Sequence, residues 1–103
     1  MTAPLVHHCN TMADVRRHID ALDLRIVALM AERSGYVAQA ARIKQDASQV
    51  HDQARIDFIV ERVRAMAKEQ GAPEAVIEAA YRAMIDAFIE FERSEFKRLR
   101  QEA

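Results

Sequence analysis

Two cations stand on a line that a helix normally reserves for apolar side chains. The stripe Val15, Ile19, Leu22, Ile26, Met30, continued at the same period, passes through Arg33, then Val37 and Ala40 or Ala41, and then Lys44. Arg33 and Lys44 are eleven residues, or three turns, apart. That spacing puts them within roughly 20° of one face and about 16 Å apart along the axis. Glu92 repeats the anomaly, following Ile85 by seven residues and Phe88 by four on a second apolar line. Arg55 stands one residue ahead of a third such face, which starts at Ile56. Charges withdrawn from water are costly unless paired, and three cations against one carboxylate leave positive charge over. A small dicarboxylate would neutralise that surplus, because guanidinium forks hold carboxylates through paired hydrogen bonds. The same residues also admit a structural explanation. Arg33 and Lys44 could lay their methylenes over apolar surface with their heads in water, Glu92 could pair with either, and Arg55 could simply flank a helix start.

Arg16 adds a geometric constraint. It precedes Arg33 by seventeen residues on the same stretch, about 25 Å along a straight helix, too far for both to grip one molecule ~10 Å across. If Arg16 serves a site, that site belongs to another copy of the chain.

The elements that must position these groups follow from periodicity. Thr11 can cap a first helix whose first turn holds Asp14, a favourable place for a carboxylate; nothing stops this helix until about residues 46–49. Gly35 lies within it, at a cost of about 1 kcal/mol against Ala. The segment SQVHDQ, residues 48–53, is expected to form the first loop. A second helix then runs from about Gln53 to Gln70, with Ile56, Ile59, Val60, Val63 and Ala67 on one face. Gly71 is a natural stop and Pro73 a natural first residue for a third helix that continues to about Arg100. Its stripe is Ile77, Tyr81, Met84 or Ile85, Phe88, and Phe91 or Glu92. No strand signal or repeat occurs, so the expected fold is all-α. Residues 1–10 show no periodicity and are expected to be a disordered tail, leaving residues 11–103 as the helical domain.

Length adds a further expectation. A first helix of about 35 residues is on the order of 50 Å long, whereas a compact domain of about 100 residues has a radius of gyration near ~13 Å. The second helix is half as long and cannot cover an apolar stripe running from Val15 to Ile43. A second copy of the chain should cover the remainder, as an obligate homodimer packed through the first helix.

Composition excludes several functions. With 15 Lys and Arg against 16 Asp and Glu, the formal charge of −1 gives no basic excess for nucleic acid. No apolar run approaches the roughly 20 residues of a membrane span, and no signal peptide is expected. One cysteine, Cys9, cannot form an intrachain disulfide, so a cytoplasmic location is the default. His7, His8 and Cys9 are able metal ligands, but neighbours in sequence cannot all face one ion in regular structure, so no metal site is expected.

The segment DVRRHIDALDLRIVALMAERSGYVAQAARIK, followed by HDQARI and a long third helix, resembles the all-helical, AroQ-class chorismate mutases over about residues 12–100. The resemblance implies an intertwined homodimer of three-helix protomers with two sites, each completed by an arginine of the other protomer. By position, Arg16 resembles that arginine acting in trans. Arg33 and Arg55 resemble those that hold the substrate's carboxylates from within the same chain. Lys44 resembles the lysine that hydrogen-bonds the ether oxygen of the breaking bond, and Asp52 the loop aspartate near the substrate hydroxyl. Glu92 falls where members carry Gln or Glu, the second donor to the ether oxygen. Phe88 falls where some carry a Ser or Thr that helps bind the ring carboxylate. The implied reaction is the Claisen rearrangement of chorismate to prephenate, which needs no nucleophile, metal or cofactor. Catalysis would come from holding the reactive conformer and from cationic donors at an oxygen that gains negative charge.

Two positions depart from the family pattern. Ile56 replaces a glutamate that contacts the substrate's hydroxyl in many members, and Glu92 can donate to the ether oxygen only when protonated. Two other functions stay open. Isochorismate-pyruvate lyases resemble the same scaffold, retain its arginines and lysine, and form salicylate and pyruvate; Ile56 leans toward them. The third possibility is a non-enzymatic helical dimer whose charges set its register.

Overall fold

Thr11 starts the first helix by accepting the backbone N–H of Asp14 on its hydroxyl oxygen at 3.1 Å, as an N-cap should. The computed structural model describes residues 5–102. It contains α1 (Met12–Ile43), α2 (Gln53–Glu69) and α3 (Glu74–Glu102), with a short 3₁₀ turn at Ala47–Gln49. No strand occurs among the described residues. The all-α expectation therefore holds.

The helix ends differ from expectation in one informative place. α1 stops at Ile43, several residues before 46–49, and Lys44 leaves it with ψ near 139°. Asp46 then caps a separate turn, accepting the N–H of Ser48 at 2.8 Å, while the Gln49 side chain accepts the N–H of Asp46 at 3.3 Å. A helix-compatible string is thus claimed by a competing local motif. Asp52 opens α2 by accepting the N–H of Arg55 at 3.0 Å. α2 ends as the glycine signal implies. Gly71 takes φ +71°, its N–H donates to Lys68 and that of Ala72 to Ala67, the paired closing bonds of a Schellman motif. Pro73 sits just ahead of α3 rather than in it, its carbonyl accepting from Val76 and Ile77.

α3 is the common wall and packs against both α1 and α2. Val60, Val63 and Ala67 of α2 are buried, as are Ala41 of α1 and Ile85 of α3. At the outer edge, Arg64 of α2 meets Glu78 of α3 at 3.3 Å, and Arg82 meets the same carboxylate at 2.8 Å. α3, rather than the shorter α2, lies along α1.

Neither neighbour covers the N-terminal half of α1. Ile19, Leu22 and Ile26 are each about half exposed (50, 49 and 50%), although they belong to the apolar stripe. The chain is elongated, with a radius of gyration of 17.2 Å and extents of 56 × 27 × 20 Å. Residues 1–4 of the expected tail lie outside the described residues. In the remainder of that segment the His7 ring stacks on His18 of α1, with centroids 5.0 Å apart.

Candidate active site

The stripe of α1 changes character at Arg33. From there to its end the helix faces α2 and α3 across a cavity of about 460 Å³. α1 lines it with Arg33, Tyr36, Val37 and Ala40, and with Lys44 at the cap. These positions keep the helical i, i+3, i+4, i+7, i+11 spacing that puts them on one face. α3 replies with Ile85, Phe88, Ile89 and Glu92 at the same kind of spacing. Val50 and Asp52 of the loop and Arg55, Ile56 and Ile59 of α2 close the third side.

Glu92 is the one buried charged side chain among the described residues, 7% exposed. Its Oε2 accepts from Nζ of Lys44 at 2.7 Å, which joins the end of α1 to the middle of α3. The short distance is that of a charge-assisted bond. The lysine has two further N–H groups to offer.

Arg33 is half-buried, and its guanidinium carbon lies 4.9 Å from the centroid of Phe88. Phe88 carries no hydroxyl, yet its ring face steadies the cation by a cation–π contact. Arg55 is exposed at the rim, 5.2 Å from the Phe58 ring centroid. Asp52 lines the cavity with one carboxylate oxygen already committed to capping α2.

Six of the seven expected residues therefore converge: Arg33, Lys44, Asp52, Arg55, Phe88 and Glu92 all border one cavity. Arg16 does not, being far along α1 from the lining residues. The charge balance is smaller than the sequence implied. Arg33, Lys44 and Arg55 face two carboxylates, Asp52 and Glu92, so one chain supplies a surplus of one positive charge. Asp52 joins the balance because the loop folds it into the cavity wall.

The wall also includes residues that no charge anomaly marks in the sequence. Tyr36, three residues after Arg33, is the one hydroxyl-bearing side chain among those bordering the cavity; its spacing from Arg33 was the available signal. No group of three His, Cys, Asp or Glu side chains that could hold a metal occurs among the described residues, and no described helix is long and apolar enough to cross a membrane.

Comparison with known proteins agrees with this geometry. The model of the family described as chorismate mutase type II matches residues 15–93. A chorismate mutase of Methanocaldococcus jannaschii is 32% identical over 66 residues, covering 63% of this chain and 67% of the relative. An isochorismate pyruvate lyase of Pseudomonas aeruginosa is 28% identical over 81 residues, covering 79% of this chain and 80% of the relative. The matched span begins in α1 and ends one residue past Glu92, so it takes in every residue that borders the cavity. By this match the chain belongs to the type II chorismate mutases.

Proposed function

We propose that the protein rearranges chorismate to prephenate in the cavity between its three helices. The observation that carries this reading is the meeting of Arg33, Lys44 and Arg55 around one small enclosure that also holds the buried Glu92. Arg33 and Arg55 bind the two carboxylates, holding the reactive conformer so that little orientational entropy remains to be lost. As the ether C–O bond lengthens, negative charge grows on its oxygen. Lys44, with N–H groups to spare beside Glu92, donates to that oxygen, and Glu92 supplies a second donor when protonated. Such fixed donors stabilise developing charge strongly because the site need not reorganise around it. Asp52 attends the substrate's hydroxyl, and the Phe88 ring backs Arg33.

The same reading has two chains complete each site. The half-exposed face of Ile19, Leu22 and Ile26 supports pairing through α1. Arg16 of the partner subunit then adds a cation to those of Arg33, Lys44 and Arg55.

A second reading, elimination of pyruvate from isochorismate, is favoured by Ile56. It lines the cavity where many mutases present a glutamate to the substrate's hydroxyl. Incubating the purified protein with each substrate decides between them. Prephenate from chorismate supports the mutase; salicylate and pyruvate from isochorismate, with no prephenate from chorismate, would replace it.

A further inference from the structure

We propose that Arg100, which borders no part of the cavity, is a positioning residue for Lys44; the proposal rests on the mutase reading above. Lys44 is where α1 ends. Its N–H still donates to Ala40 at 2.9 Å, but the carbonyls of a last helical turn have no partner within the helix. Arg100 reaches them from α3. Nη1 donates to the carbonyl of Ala41 at 2.9 Å, and Nη2 donates to the carbonyl of Lys44 itself. The guanidinium is held in turn by its own helix. Its carbon lies 3.5 Å from the Phe96 ring centroid, and Nη1 also approaches the Phe96 carbonyl at 3.4 Å.

Glu92, Phe96 and Arg100 follow one another at intervals of four, one ridge along α3. One end of that ridge grips the Lys44 ammonium and the other grips its backbone. Both handles belong to the same rigid helix, so the position of the ammonium over the cavity is set by α3 at two points. A cation at the C-terminus of α1 also opposes the negative end of that helix's dipole. Without Arg100 the last turn is free to fray, and the Lys44 backbone moves while its side chain stays tethered to Glu92. The arginines that bind carboxylate are anchored elsewhere, so the damage should fall on the chemical step.

The test is steady-state kinetics with chorismate for the wild type, Arg100→Met and Arg100→Lys, with foldedness checked by circular dichroism. Misplacing a catalytic group by about 1 Å can cost on the order of 100-fold, so Arg100→Met should lower kcat by about 10- to 100-fold. KM should move less than about threefold, the signature of an interaction made in the transition state. Arg100→Lys keeps one donor but loses the planar fork, and its kcat should lie between the two. Should Arg100→Met fail to fold, Arg100→Lys carries the same test: reduced kcat at unchanged KM supports the proposal, and wild-type kcat overturns it. An active wild type with kcat unchanged in the variants, or with KM rising in step with the loss, overturns the positioning role alone. A wild type that makes no prephenate overturns the mutase reading, and this proposal with it.

Discussion

On the mutase reading, replacing Lys44 by alanine removes the donor assigned to the ether oxygen. The expected loss is about 100- to 1,000-fold in kcat, the usual effect of deleting one preorganised donor, measured as chorismate consumption at saturation. Arg55→Ala should act first on KM, because its guanidinium stands at the exposed rim beside Phe58. Glu92 gives a pH test. If it donates to the ether oxygen it does so only as the carboxylic acid, so kcat should fall as pH rises. Glu92→Gln, a donor at every pH, should flatten that fall; a profile that the substitution leaves unchanged would exclude the role. Arg33, Lys44 and Glu92 could be picked out of the bare string because a charge at an apolar period contradicts its neighbours. Arg55 was marked more weakly, by its place one residue ahead of an apolar face, and Asp52 by family resemblance alone, since a carboxylate before a helix is ordinary there. Arg100 was silent for another reason. It lies among Arg93, Lys97 and Arg98 near the end of α3, and only the fold brings it to the carbonyls of α1.

For the helices, local signals were dependable where the chain closes them with its own neighbours. Thr11, Asp52 and Gly71 mark their boundaries because each cap is made within three to five residues. The end of α1 is harder to read because the turn capped by Asp46 claims the residues beyond it and its last carbonyls are met by a side chain 56 residues away. Gly35 offers a stability test at this scale. A Cβ added there meets nothing within 4 Å, so Gly35→Ala should raise stability by about 0.5–1 kcal/mol, read from urea unfolding. The Glu78 carboxylate, paired with Arg82 within α3 and with Arg64 of α2, should respond to acid. The hydrogen bond from Arg82 is the main cause holding the Glu78 carboxyl below its ordinary 4.5; desolvation opposes it, and the charges of Arg64 and Arg82 assist. A folded-state pKa below the unfolded one stabilises above the unfolded value. The contribution is therefore full above about pH 4.5 and lost as pH falls through the depressed value. Unfolding midpoints between pH 6 and 3 should decline less steeply in Glu78→Gln than in the wild type.

The whole molecule is shaped by a helix of 32 residues, about 48 Å of rod on a chain of only 103 residues. Its excess length was legible from periodicity alone, because no proline breaks the helical period between Val15 and Ile43. Which neighbour would lie along it was not, since the second and third helices both carry faces of suitable width. On the dimeric reading, Ile26→Glu places a carboxylate in the α1 seam, where an unpaired charge costs several kcal/mol. Sedimentation should then show the monomer mass, and chorismate turnover should vanish because the partner's Arg16 is no longer delivered.

On the dimeric reading, the half-exposed face of Ile19, Leu22 and Ile26 on α1 has a consequence for how this enzyme would behave in dilute solution. Where chains share one hydrophobic interior, folding is second order, and the melting temperature climbs with protein concentration. Specific activity should therefore sag on dilution and recover when the sample is concentrated. How many molecules a cell makes would then govern the rate per molecule as well as their number.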